Sequence, residues 1–430
     1  MMASFIKSKS GLFAVVFISM MFHACQSGND NNELPEPEPQ TYALPTLFIE
    51  TQNALAITSK EDYINCNLII NGNQRYKNFS GAARIRGRGN STWLWYDKKP
   101  YRIKLDEKAE ILGLDANKDW ILLANYRDPT HLMNAISFRM AEQMHFTFTN
   151  HTRFVEVTLN GNYIGLYQLT EQIEVAKSRV DIDESEGYLL SLDLDDGPGL
   201  SPNASDNFWS QVFKMPVCVK SPKDRTTQQL NTIKVDFAQL ETAINSYNYE
   251  SVERLLDIPS FIDYLILQEI TYNVELAAPR SVYMYKDKGG KYFMGPVWDF
   301  DAGFDFDWNT MYTGHNYFTS YKELVLGTNP ASQIGGYNVP LFFTRMFKNN
   351  TFVARYKARW NELMTRIPDD IITYIDNIKE ENADAMERDF RRWPIDNYYV
   401  TEIEKLKTWL TNRFDYVTTV TNNIPDPASK

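Results

Sequence analysis

Cysteine is scarce in this chain, with three in 430 residues at positions 25, 66 and 218. That excludes a disulfide-stapled scaffold, and one bridge between Cys66 and Cys218 would decide little. The five histidines (His23, His131, His145, His151 and His315) show no metal-ligand spacing. No His-Glu-x-x-His, Gly-x-Ser-x-Gly or Walker A sequence occurs, and the His-Arg-Asp of ordinary protein kinases is missing too. Cations are in deficit: 44 Lys and Arg stand against 55 Asp and Glu, a formal charge of −11. A nucleic-acid partner is thereby excluded, because a phosphate backbone demands excess cations, and any phosphate site must be local. The apolar run Gly11–Phe22 falls short of the roughly 20 residues that span a bilayer.

What is present at the N-terminus points to export. Lys7 and Lys9 precede that apolar run, a length suited to a signal peptide, and Phe22-His23-Ala24-Cys25 looks like a lipobox. Residues 1–24 are therefore expected to be cleaved and Cys25 lipidated. No transmembrane helix is expected after processing. Loss of Lys7 and Lys9 takes the charge from −11 to −13. Residues 25–41, with Pro35, Pro37 and Pro39 alternating with acids, read as an extended spacer. The expected location is the cell envelope, lipid-anchored at the outer membrane and facing the periplasm or the surface.

The chain is 43% hydrophobic, 14% aromatic and 23% charged, enough for a sizeable core. From 42 to 222 short alternating runs predict strands, among them Leu68–Ile70, Ala83–Ile85, Tyr101–Leu105 and Ile121–Ala124. Phe154–Leu159, Asn160-Gly161 and Asn162–Leu169 form the clearest hairpin. One helix follows Pro129, with Leu132, Ile136, Met140 and Met144 at helical spacing. From 223 to 430 helical periods dominate, apart from a hairpin of Ser281–Lys286 with Lys291–Trp298. The class expected is α+β, a strand-rich lobe and a helix-rich lobe sharing a cleft.

Four groups of residues carry chemistry. In Arg86-Gly87-Arg88-Gly89-Asn90-Ser91-Thr92-Trp93, two glycines let the backbone approach a phosphate while arginines and hydroxyls hold its oxygens; an ordinary turn between strands would look similar. On Tyr101–Asp106 alternation puts Arg102, Lys104 and Asp106 on one face. A lysine after a Gly-rich loop can set a cation against nucleotide phosphates, with Glu171 the candidate carboxylate to hold it. Trp298-Asp299-Phe300-Asp301, read as a strand, turns Asp299 and Asp301 the same way, towards one divalent cation. Asn273-Val274-Glu275, where a helix ends, suits catalytic side chains or a cap.

These residues resemble the spore-coat protein H (CotH) kinase family of atypical protein kinases. The likeness runs through Arg88–Trp93, Lys99–Lys104, Leu122–Tyr126, Asn134-Ala135, Val155–Val157, Asn160-Gly161, Gly165–Tyr167, Thr170-Glu171, Gly187–Leu190, Lys220–Pro222 and Gly295–Asp301. It implies a divergent, two-lobed kinase-like fold. Arg88, Gly89, Asn90 and Ser91 would cover ATP phosphates, and Lys104 and Glu171 would pair to orient the nucleotide. Asp299 would hold Mg²⁺ or Mn²⁺, with Asp301 and Asn273 as further expected ligands. The family's usual Asn-x-Asp reads Asn273-Val274-Glu275 here, so Glu275 takes the catalytic position one methylene longer, where phosphoryl transfer is sensitive to placement.

The expected function is transfer of the ATP γ-phosphoryl group to a Ser, Thr or other hydroxyl of a protein acceptor, such as another envelope or surface protein. Export sits awkwardly with ATP, which is scarce outside the inner membrane. Two other readings use the same residues: an inactive glycan- or protein-binding lipoprotein on this fold, and a glycoside hydrolase using Asp299 and Asp301. The hydrolase leaves the Arg88 loop and Lys104 unexplained.

Overall fold

Two-residue alternation builds the first half of the structure. The computed structural model describes residues 44–196 and 207–427; Cys25, the expected leader and the expected spacer lie outside the described residues. Seven strands are β1 (Thr46–Thr51), β2 (Ile64–Asn71), β3 (Phe79–Gly87), β4 (Tyr101–Ile111), β5 (Leu114–Leu123), β6 (Arg153–Leu159) and β7 (Asn162–Glu171). They close into a barrel in the order β1-β2-β3-β4-β5-β7-β6. β1 runs parallel to β6, and every other neighbouring pair is antiparallel. Alternate residues fill the interior: Leu47, Ile49, Leu68, Ile70, Ile85, Ile103, Leu105, Trp120, Leu122, Val155, Val157, Tyr167 and Leu169 are buried together.

The Asn160–Gly161 turn has φ of 48° and 76°, the left-handed values that this dipeptide tolerates in a tight hairpin. β4 and β5 join through Leu112 and Gly113 at φ of 52° and 72°. Leucine at positive φ is no turn signal, which is why Tyr101–Leu105 and Ile121–Ala124 read as separate short runs rather than as one long hairpin.

A second, antiparallel sheet contains β8 (Tyr188–Leu192), β9 (Phe208–Trp209), β10 (Pro216–Ser221), β11 (Val282–Lys286) and β12 (Tyr292–Met294), in the order β12-β11-β8-β10-β9. Its strands come from both sides of residue 222, so the sheet bridges the two lobes expected from sequence. The α+β class holds, with strands early and helices late. A closed barrel, however, is not part of the two-lobed kinase-like expectation.

Ten α-helices complete the described residues: α1 (Ser91–Trp95), α2 (Met133–Gln143), α3 (Thr227–Asn245), α4 (Tyr249–Leu255), α5 (Ile258–Thr271), α6 (Leu341–Thr344), α7 (Asn350–Met364), α8 (Ile367–Glu381), α9 (Ala383–Arg392) and α10 (Tyr399–Asn422). α2 buries Ile136 and Met140, flanked by buried Leu132 and Met144, as its period predicts. A capping box of Thr226 and Gln229 starts α3, and Asp257 with Pro259 starts α5. α5 is buried along most of its length, in the core shared by the helices and the second sheet.

Buried charges tie the late helices back to the barrel. Asp389 on α9 accepts from the Lys98 ammonium at 2.7 Å and from the Leu166 N–H at 2.7 Å, while Lys98 also donates to Leu166 O at 2.6 Å. Burial lowers the Lys98 pKa and pushes His131, 3.3 Å from Asp389, down to about 4. Removing one partner of such a pair strands the other. Asp389→Ala is expected to cost about 3–5 kcal/mol in chemical denaturation; a loss under about 1 kcal/mol would show that Lys98 is hydrated or re-paired.

Candidate functional site

The outer face of the barrel supplies cations. β3 and β4 set Arg84 opposite Lys104 and Arg86 opposite Arg102, because Ile85, Ile103 and Leu105 take the interior. Arg102 donates to Asp119 at 2.6 Å and Lys104 lies 3.5 Å from the same carboxylate. Past β3 the chain turns into α1. Gly89 has φ of 84°, and a Cβ there would lie 2.4 Å from Thr92 Oγ1, so the Arg88–Ser91 turn requires glycine. The Arg88 N–H donates to Pro100 O at 3.2 Å, and Lys60 donates to Asn90 Oδ1 at 3.1 Å. The Arg88 guanidinium lies 5.2 Å over the Trp298 ring. Burial lowers its pKa, against the pull of Asp299.

The later segments supply carboxylates. α5 stops at Tyr272, which takes a left-handed φ of 48°. Asn273 then caps the short 3₁₀ turn Val274–Ala277, accepting from the Glu275 N–H at 3.3 Å. β12 ends at Met294, so Trp298–Asp301 is not the strand expected from sequence. It is a turn in which Asp299 has φ of 68°. α2 fixes this turn: Asn134 accepts from the Phe300 N–H at 3.0 Å, and Phe138 stacks on Trp298 at 5.8 Å. α2 is itself anchored by Asp128, which accepts from the Met133 N–H at 2.8 Å.

These elements enclose a cleft of about 350 Å³ whose walls include Arg88, Gly89, Asn90, Ser91, Glu275, Asp299 and Asp301. Asp299 and Asp301 thus do share a site, by a turn instead of strand alternation. Burial, then repulsion from Asp301, pushes the Asp299 carboxyl up to about 7, against Arg88 and Arg127. Burial, then Asp299 and Asp301, raises Glu275 well above the usual range. Carboxylates crowded in this way resist simultaneous ionisation. Among the described residues, no three His, Cys, Asp or Glu side chains are arranged to hold a metal ion.

Lys104, Glu171 and Asn273 lie outside the cleft walls. The expected Lys104–Glu171 pair does not form, because strand register forbids it. Glu171 stands opposite Trp120, and Trp120 opposite Ile103; directly opposed residues share a face, so Glu171 is on the core side and Lys104 on the outer side. Glu171 instead accepts from the His151 N–H at 2.8 Å and meets His151 Nδ1 at 2.7 Å, with Arg179 3.9 Å away. Burial pushes the Glu171 carboxyl up, but His151 and Arg179 outweigh it and leave its pKa lowered. Asn273 Oδ1 accepts the Glu275 N–H as a cap, and Asn273 is not among the cleft walls.

Arg86, read from sequence with Arg88 as a phosphate ligand, lines the cleft, as does Lys220 of the Lys220–Pro222 motif; Arg102, Arg127 and Arg280 line it too, and sequence reasoning gave these three no role at the site. The alternation that singled out Lys104 puts Arg102 on the same face, and that was the available signal. Arg127 carried none. Its side chain is 6% exposed and lies 3.9 Å from Asp301 and 4.4 Å over the Phe306 ring; its Nε makes no hydrogen bond.

The fold and site define an α+β protein with a cleft that sets arginines and lysines against a crowded carboxylate group. The sequence pattern of the family described as CotH kinase protein matches residues 85–417, and the chain belongs to that family. No curated protein matches it. No helix among the described residues is long and apolar enough to cross a membrane.

The raised Asp299 pKa has a definite sign. A carboxyl near pKa 7 when folded and 3.8 in its unperturbed form favours folding most when protonated, and that contribution is lost as pH rises from about 4 to 7. Asp299→Asn is expected to raise the melting temperature more at pH 8 than at pH 5, by at least about 2 °C, the shift for roughly 1 kcal/mol in a large domain. An equal shift at both pH values would mean that Asp299 titrates normally.

Proposed function

We infer that this chain is an exported, lipid-anchored phosphotransferase that moves the γ-phosphoryl group of ATP to a hydroxyl of a protein acceptor. The observation that carries this reading is the opposition of Arg88 and its neighbouring cations to Glu275, Asp299 and Asp301 across one cleft, in a chain of the CotH kinase family. Arg86, Arg88, Arg102 and Lys220 would take phosphate oxygens, with Gly89 allowing close approach and Asn90 and Ser91 adding polar contacts.

Two protein carboxylates do not make a closed metal site, but completed by substrate phosphate oxygens and water they are a set that Mg²⁺ commonly takes. Asp299 and Asp301 are hard oxygen ligands, and their mutual repulsion is what such an ion relieves. Mg²⁺ or Mn²⁺ bound there would neutralise charge on the transferring phosphoryl group. The rest falls to the chain. Glu275, when ionised, orients the acceptor hydroxyl and takes its proton; Arg127 holds Asp301 in place and adds positive charge at the carboxylate end. The lipid anchor and envelope location rest on the Lys7 to Cys25 segment.

Full-length protein in detergent, incubated with γ-labelled ATP and Mg²⁺ or Mn²⁺, is expected to label itself. Asp299→Ala should lower label by about 10²-fold or more, and Glu275→Ala by about 10²–10⁴-fold, as for loss of a charge-stabilising group and a general base. No label, together with no ATP-dependent thermal shift, would move the assignment to a binding protein on the same fold. Cells fed a labelled fatty acid are expected to label the chain but not its Cys25→Ser variant; equal label in both, or none in either, would remove the lipid anchor.

A further inference from the structure

The cleft does not account for the cations that lead out of it. Arg84 faces Lys104 and Arg86 faces Arg102 directly across β3 and β4, an arrangement that like charge makes unfavourable. With Arg88 these form a ladder of five cations that starts in the cleft, at Arg88, Arg86 and Arg102, and continues beyond its walls to Arg84 and Lys104. Asp119 serves both Arg102 and Lys104, and Asp106 lies 3.8 Å from Arg84. Asp119 and Asp106 are thus the carboxylates paired with the four strand cations, with Glu174 near Arg102, while Arg88 faces Asp299 in the cleft. Arg84 and Arg86 both sit over the Tyr63 ring, at 5.8 and 5.1 Å, which keeps the two guanidiniums side by side. The Arg86 Nε is buried without a hydrogen-bond partner. The outermost pair stays reachable, with side chains 43% and 35% exposed at Arg84 and Lys104.

A ladder of this kind suits a linear polyanion whose end lies in the cleft. Same-face residues on a strand are about 6–7 Å apart, so Arg84 and Lys104 lie a full step beyond the pair that a short phosphate tail anchored at Arg88 would engage. We propose that the Arg84–Lys104 and Arg86–Arg102 ladder binds the distal part of an inorganic polyphosphate chain, which can then act as phosphoryl donor in place of ATP. The donor role rests on the phosphotransferase reading above; the binding role does not. In the transfer step the acceptor oxygen bonds to the terminal phosphorus and the bridging P–O bond breaks. The chain leaves one phosphate shorter, and the acceptor proton passes to Glu275. The number of ladder cations, rather than recognition of a base, sets the affinity, so binding is steeply salt-dependent.

Two arms test this with the full-length protein in detergent. In the first, calorimetry compares long-chain polyphosphate, tripolyphosphate, ATP and a single-stranded oligonucleotide of equal charge. Long-chain polyphosphate is expected to bind at least tenfold more tightly than tripolyphosphate, and the double variant Arg84→Gln, Lys104→Gln to erase that preference. Equal affinity for the two chain lengths, an unchanged preference in a folded double variant, or an oligonucleotide that binds as tightly would overturn the ladder. In the second arm, label is followed from terminally labelled polyphosphate and from γ-labelled ATP. Transfer from both is expected, with the polyphosphate-to-ATP ratio at least tenfold lower in the double variant. Label from ATP alone overturns the donor role and leaves the phosphotransferase standing. Label from neither sinks the phosphotransferase and the donor role together, and the binding arm then decides the ladder on its own.

Discussion

The two-residue period of β3 and β4 is the constraint on which the rest of the molecule depends. Ile85, Ile103 and Leu105 must enter the barrel core, since apolar burial supplies most of the driving force for folding. Arg84, Arg86, Arg102 and Lys104 are thereby committed to the outer face as one block. Closure of the barrel fixes where that face points, and the turn at Gly89 brings Arg88 into line with it. The concentration of positive charge in an acidic protein is therefore a consequence of how the core is filled, and it persists although opposed like charges cost stability.

The opposite wall has a different origin. Glu275 hangs from the end of α5, whereas Asp299 and Asp301 sit on a turn that Asn134 and Phe138 of α2 hold in place. α5 is packed almost entirely in the shared core, and α2 is pinned by Asp128. Rigid, well-buried elements thus deliver half-buried carboxylates that repel one another. Local rules are broken here, as they are along the cation face of β3 and β4, the pattern expected where function has been placed above stability. Buried ties such as Lys98 with Asp389, and Arg413 with Glu269 at 2.9 Å, join late helices to earlier elements and limit how far the walls can drift.

Much of this was legible in the sequence. The Asn160-Gly161 hairpin, the apolar face around α2, the switch from alternating to helical periods and the Pro259 helix start all depend on neighbours a few residues apart, and each appears where its pattern indicated. The Arg88–Ser91 turn and the acidic pair were legible as candidates from residue type, and both line the cleft. The strand assigned to Trp298–Asp301 was not correct, because Asp299 takes a positive φ that no local pattern announces. The Leu112–Gly113 turn escaped for the same reason.

Sequence by itself determined which face of its own strand each side chain occupies, including the shared face of Arg102 and Lys104, because alternation is a property of the local backbone. It could not determine which faces meet. Lys104 and Glu171 are individually suited to an ion pair, yet register across β4, β5 and β7 places them on opposite sides of the sheet. Register, barrel closure and the approach of α2 to the acidic turn couple residues far apart in the chain, and only the tertiary structure decided them.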